Sequence, residues 1–345
     1  MSFSFFKQSR PKTPEELVSA IKDSLMALDS QTVADVKALE KALEEVEKNI
    51  SSMKTMLIGD GEAEPSPEQI SQLTLGICNE DVIPLFFQNL PFLGWETRKN
   101  LVICWPILVK QEVDSVFCCA QYMENHLDLL DILIAGYDDK EIALHCGNML
   151  RECIKLPTFA KYILESPSFE LFFKYVELPN FDISADAFST FKDLLTKHPA
   201  PVSEFLNNHY NEFFERYQKL LTSDNYVTRR QSLKILSDFL LESPNARVMK
   251  RFVSEIQHLK IMMMLLKDSS KNIQISAFHI FKIFVANPNK PEEIKIIVAK
   301  NNEKLITLLH DLSPGKGNED DEFEEEKEMV IKEIEKVSKL TNSEP

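Results

Sequence analysis

The chain of 345 residues is 44% apolar and carries a formal charge of −15, so it is long enough to bury a large core, and length alone suggests two or three ordinary domains. Its 8 Gly are too few for the many tight hairpins of a sheet protein or for phosphate-cradling loops, both of which need backbone unhindered by Cβ. The charge is uneven: residues 226–300 hold 13 Lys/Arg against 6 Asp/Glu, a local +7 that leaves −15−7=−22 on the remainder, a basic half suited to steering an acidic partner.

The start, Met1 to Lys7, lacks the apolar centre of a signal peptide. No run approaches the roughly 18 apolar residues of a membrane span. Six cysteines stand on apolar helical faces without any C-x-x-C spacing. They read as buried small hydrophobes in a reducing compartment, which points to a soluble cytoplasmic protein.

Thr13-Pro14 with Glu16 forms a capping box that opens the first helix. Val36, Leu39, Leu43, Val46, Ile50, Met53 and Leu57 then step by threes and fours as a heptad stripe. Two readings fit that stripe: a coiled-coil dimer, or an N-terminal helix pair capping a stack of repeats. Gly59 to Pro67 is a loop by composition. Helices are predicted over Ser71–Asn79, Trp95–Lys110, Tyr122–Ala135 and Glu141–Ile154, with Pro84, Pro91, Pro106 and Pro157 setting ends or kinks.

From residue 141 one pattern returns four times. Ile142, Ile183, Val227 and Ile273 open equivalent apolar runs 183−142=41, 227−183=44 and 273−227=46 positions apart. A period of about 40–47 residues is that of HEAT and armadillo units, each two or three helices. The predicted fold is therefore all-α, an armadillo/HEAT-like helical-repeat solenoid with a long curved binding surface and no closed catalytic pocket. Its expected parts are capping helices over residues 1–58, repeats over 66–312, and an acidic linker with a C-terminal helix over 313–345. In that last part Ser313 to Asn318 reads as a linker, the eight acids among residues 319–328 as a solvated stretch, and a final helix is placed near Glu328–Leu340.

Motifs for chemistry are missing. Gly315-Lys316-Gly317 lacks the phosphate-loop frame, no G-x-S-x-G elbow presents a serine, and His145-Cys146 with Cys153 does not have zinc-ligand spacing. The acids near Glu319 lack the frame of a calcium loop. The basic residues are dispersed, with no aromatic-basic motif to read bases. Neither enzyme activity, a cofactor, a metal nor nucleic acid is expected. Candidate contact residues are instead Tyr226, Arg230 and Lys234, four apart and so on one helical stripe, with Phe181 opening the preceding unit. Such a stripe is equally a solvated face or an interface anchor, because Tyr and Arg supply large area with few torsions. Farther on, Leu259 to Leu266 is mostly core, with methionines at its edge able to line an adaptable groove, and Lys300 adds a cation nearby.

Four segments are similar to the calcium-binding protein 39 family, also called Mo twenty-five: Gly136-Tyr137 with Glu141 to Cys153; Phe181 to Ile183 with Asp186 to Leu195; Asn225 to Thr228 with Arg230 to Lys234; and Phe284 to Lys290. The resemblance runs from the Phe-rich start to the acidic tail and is weakest over residues 80–125. It implies a horseshoe of armadillo-like repeats that is a non-catalytic scaffold for protein kinases. In that family the concave face clasps a STRAD-type pseudokinase or a germinal-centre kinase, and the complex switches on an LKB-type kinase. Carried over by residue, it places Phe181, Tyr226, Arg230 and Lys234 on the concave kinase face, and Met263 with Lys300 at a pocket for a Trp-Glu-Phe tail. A monomer within a hetero-complex is expected. The competing expectation is a passive helical-repeat adaptor for cargo or cytoskeletal proteins.

Overall fold

The computed structural model describes residues 12–29, 36–61, 64–312 and 320–341. The segments at Met1 to Lys7 and Ser313 to Asn318, interpreted above from sequence, lie outside the described residues. Two compact units are present, the first ending at Thr190 and the second beginning at Phe191. The boundary falls inside one helix.

The first unit contains α1 (Pro14–Asp29), α2 (Val36–Ile58), α3 (Pro67–Asn79), α4 (Val82–Asn89), α5 (Trp95–Lys110), β1 (Glu112–Val113), β2 (Val116–Phe117), α6 (Cys118–Glu124), α7 (Leu129–Ala135), α8 (Ala143–Ile154), α9 (Pro157–Glu165), α10 (Phe172–Tyr175) and the start of α11 (Phe181–Thr196). Its helices repeat in threes and form three layers: α3 packs on α6; α1 on α4 and α4 on α7; α2 on α5 and α5 on α8. Each helix thus meets its counterpart in the next repeat, the arrangement the 40-residue period requires.

The capping box forms in both directions: Thr13 N–H donates to Glu16 Oε2 at 2.9 Å and Glu16 N–H to Thr13 Oγ1 at 3.3 Å. The later part of the heptad stripe is buried within the chain, whereas Val36 is 70% exposed and Leu39 and Leu43 are half-buried. Val46, Ile50, Met53 and Leu57 are solvent-free on α2, which packs against α1 and α5, and Asn49 Nδ2 donates to Ala20 O at 3.0 Å.

The second unit continues through α12 (Pro199–Asn208), α13 (Tyr210–Leu221), α14 (Tyr226–Leu240), α15 (Ala246–Phe252), α16 (Ile256–Leu265), α17 (Lys271–Ala286), α18 (Glu292–Lys300), α19 (Asn302–His310) and α20 (Asp320–Thr341). Here α12 packs on α15, α13 on α16, α14 on α17, and α17 on α20. Packing on α14, α16 and α20 leaves its mark on α17: Ile273, Ala277, Phe278, Ile280, Phe281, Phe284 and Val285 are all buried, more than one apolar stripe. The helices opened by the predicted repeat are α8, α11, α14 and α17, with Ile142, Ile183 and Ile273 buried and Val227 half-buried.

Four expectations need correction. The span Tyr122–Ala135 is two helices, α6 and α7; the break at Asn125 to Asp128 is built from tight turns such as Asn125 N–H to Tyr122 O and Leu129 N–H to His126 O, both 3.1 Å. A short hairpin pairs Glu112 with Phe117 and Val113 with Val116. It turns without glycine, because Asp114 (φ 50°) and Ser115 (φ 65°) both take the left-handed conformation that a two-residue hairpin loop demands. The acidic stretch is helical from Asp320: carboxylates in a first turn favour the positive end of the helix dipole, Phe323 meets Phe278 at 4.9 Å between ring centres, and buried Lys327 donates to Leu312 O at 2.9 Å. Finally, Cys78 and Cys118 are only half-buried, unlike the other four cysteines.

Candidate partner-binding surface

Asn225 sets the start of α14. Its side chain accepts hydrogen bonds from Val227 N–H at 2.9 Å and Thr228 N–H at 3.4 Å, the cap that satisfies two otherwise orphaned donors. Capped there, α14 points Thr228, Ser232 and Leu233 inward and leaves Tyr226, Arg230 and Lys234 exposed on one stripe, as spacing by four predicts.

Neighbouring arginines on α14 have opposite fates. Arg229 turns in, with Nε 3.3 Å from Asp268 Oδ2 and Nη1 donating to Ser223 O at 2.7 Å. Asp268 in turn accepts Ser270 N–H at 2.8 Å, and its carbonyl accepts Gln274 Nε2 at 2.7 Å. One carboxylate therefore ties the beginning of α14 to the beginning of α17. Arg230 turns out. Tyr226 stands one turn before it, and hydrogen bonding from Ser270, then Asn272, with the Arg230 charge, pulls the phenol below its ordinary pKa. Tyr226 is 39% exposed.

Phe181 opens α11 in the first unit and is 65% exposed. Asn180 accepts Ile183 N–H at 3.2 Å, a cap of the same kind as Asn225. Met263 is half-buried on α16, between buried Met262 and 49% exposed Met264. Lys300 ends α18 and is exposed; α16 and α18 pack on each other. Met264, not singled out from sequence, presents more surface than Met263, because the run Leu259 to Leu266 is apolar nearly all round and its periodicity does not mark the outer edge.

Sequence reasoning also missed Ser270 and Asn272, whose only signal was their place at the start of the next repeat. It missed Trp95 as well, which opens α5 as Phe181 opens α11 and Tyr226 opens α14. Trp95 is 63% exposed, with Lys99 Nζ 5.0 Å from its ring centre. Among the described residues no group of three His, Cys, Asp or Glu is placed to hold a metal ion, and no helix is long and apolar enough to cross a membrane.

Two of the four segments that carry the family resemblance meet in the first unit as a largely buried polar network. Arg151 Nη2 donates to Asp186 Oδ1 at 2.7 Å and Nη1 to Thr190 Oγ1 at 2.9 Å, while the Tyr137 hydroxyl donates to Asp186 Oδ2 at 2.7 Å. Burial, then the Asp186 charge, holds the Tyr137 phenol well above its ordinary pKa, so it remains a donor. Gly147 makes room: a Cβ there would sit 1.9 Å from Asp186 Oδ2 and 2.4 Å from the Tyr137 oxygen.

A family model described as Mo25-like matches residues 4–338. A putative MO25-like protein of Arabidopsis thaliana is 44% identical over 331 residues, covering 95% of this chain and 96% of the relative. The calcium-binding protein 39-like protein of Homo sapiens is 41% identical over 328 residues (95% and 96%), and the Mo25-like protein of Schizosaccharomyces pombe 39% identical over 337 residues (98% and 100%). On matches of this length and identity, the chain belongs to the Mo25-like family.

Proposed function

We propose that this protein is a non-catalytic scaffold that binds a STRAD-type pseudokinase or a germinal-centre protein kinase and shifts it toward its closed, active conformation. Membership of the Mo25-like family supports a kinase-scaffold role in general. The observation that carries the finer reading is the exposed stripe of Tyr226, Arg230 and Lys234 on α14. Tyr and Arg side by side supply large contact area with few torsions, which is what an interface anchor needs. In this reading Phe181 adds a contact from the first unit. Met263 and Lys300 receive a Trp-Glu-Phe tail, thioether against ring and ammonium against carboxylate.

The mechanism is population shift. A partner surface that touches the closed kinase more extensively than the open one stabilises it by the difference in binding free energy, and moving a 1:99 equilibrium to 99:1 takes about 5.5 kcal/mol. Two separate contacts reach that sum more readily than one, since docking the tail raises the effective concentration of the other.

The test is turnover of a purified germinal-centre kinase with and without the chain. Wild type is expected to raise turnover, and Arg230→Ala to remove most of the increase at unchanged melting temperature. Anisotropy of a labelled peptide ending in Trp-Glu-Phe is expected to show binding that Met263→Ala weakens about tenfold, or about 1.4 kcal/mol. Binding of the kinase without a change in turnover would replace this reading with that of a passive adaptor.

A further inference from the structure

Where α3 meets α6, Cys78 Sγ and Cys119 Sγ lie 3.4 Å apart, although 41 positions separate them in the chain. Cys119 is in the core and Cys78 is half-buried, within reach of solvent. Cys118 is half-buried, with its thiol directed to Val116 O at 3.6 Å. The remaining three, Cys104, Cys146 and Cys153, are buried, and burial pushes each thiol up to about 12, which leaves them unreactive.

We propose that Cys78 and Cys119 are a reversible thiol–disulfide pair, closed by a peroxide and reopened by a dithiol, that staples α3 to α6. A disulfide needs sulfurs about 2.05 Å apart, so the pair must approach by about 1.4 Å from its 3.4 Å separation. The thiols are not equivalent. Cys78 is half-buried and within reach of solvent, whereas Cys119 is in the core. Cys78 is therefore the thiol that meets the peroxide, and Cys119 the resolving thiol.

The steps balance. The Cys78 thiolate attacks one oxygen of hydrogen peroxide, the O–O bond breaks, and hydroxide leaves, giving Cys78 sulfenic acid. The Cys119 sulfur then attacks Cys78 Sγ and the S–O bond breaks. Hydroxide leaves with the Cys119 proton as water. Two thiols have lost two electrons, and one peroxide has become two waters. No signal for this pair exists in sequence, since the sulfurs converge only once α3 and α6 have stacked as counterparts in successive repeats.

The test uses the full chain carrying Cys118→Ser, which removes the neighbouring thiol and leaves 6−1=5. Treated with hydrogen peroxide, it is expected to lose two thiols by colorimetric count after denaturation and about 2 Da by intact mass, to stay monomeric on a non-reducing gel, and to regain both thiols with dithiothreitol. Peptide mapping should show Cys78 joined to Cys119. Closing a loop of this length is expected to raise the melting temperature by about 3–5 °C. Adding Cys78→Ser, at a site not fully buried, should slow thiol loss at least tenfold. Equal loss with or without Cys78, a Cys78–Cys118 link in the wild type, or intermolecular dimers alone would overturn the pairing.

Discussion

In the first unit, the meeting of α8 and α11 is organised around Arg151, Asp186, Tyr137 and Thr190. In the second, the space among α13, α14, α15 and α16 is filled by Phe213, Phe214, Tyr217, Phe239 and Phe252, ring centres 5.2–6.5 Å apart, with His258 stacked on Phe252 at 4.0 Å. The two fail differently. A ring core loses stability in proportion to the cavity left behind, whereas a buried polar network fails when one member is displaced and its partners are left unpaired. The same repeat contact can be made either way, but its sensitivity to size, charge and pH is then set by the chemistry chosen.

The largest effect should come from the ring core. Phe214→Ala is expected to destabilise the second unit by about 3–5 kcal/mol, measured by urea unfolding; a loss below about 1 kcal/mol would mean the rings collapse into the gap. Next, Gly147→Ala should cost about 3 kcal/mol or more, since one methyl group displaces both Asp186 and Tyr137. If that variant melts like wild type, α8 and α11 are not held by the network.

The third prediction concerns pH. Gln218 Nε2, which can only donate, lies 3.2 Å from His258 Nδ1, so the proton of the neutral ring is on Nε2, 3.0 Å from Glu255 Oε2. Glu255 favours a charged ring, yet burial, then Arg251, dominates and lowers the pKa from 6.5 to about 3. The unfolded chain thus binds a proton that the folded one refuses. The contribution of His258 is full above pH 6.5 and is lost as pH falls from 6.5 toward 3. At pH 5 the loss is about 2 kcal/mol. Proton NMR titration of His258 checks it, and a ring titrating near 6.5 would refute it. The smallest effect is that of Lys192→Ala, whose 3.1 Å pair with Asp238 is open to solvent and should change stability by less than about 0.5 kcal/mol.

The repeat was legible because equivalent helices begin with the same apolar step, and Ile142, Ile183 and Ile273 are buried for the same reason. The Tyr226, Arg230 and Lys234 stripe was legible from spacing alone. What escaped was of three kinds. The break between α6 and α7 contains neither Pro nor Gly, so nothing local announces it. The beginning of α20 was obscured by its acids, although Phe323, Val330, Ile334 and Val337 keep helical spacing beneath them. The meeting of Cys78 with Cys119 joins residues of successive repeats, and no window of sequence contains both ends.

Asp186 and Thr190 stand four apart on α11, one above the other, and Arg151 from α8 grips both. Packed apolar helices can slide along each other by one turn, about 5.4 Å, and still find side chains to meet. A slide of one turn in one direction would leave Arg151 the Thr190 hydroxyl without the Asp186 carboxylate, and in the other would take Thr190 out of its reach, so either offset breaks part of the network. The network therefore works as an alignment key between two helices, favouring one offset over its neighbours, and Gly147 is the notch that lets the key seat.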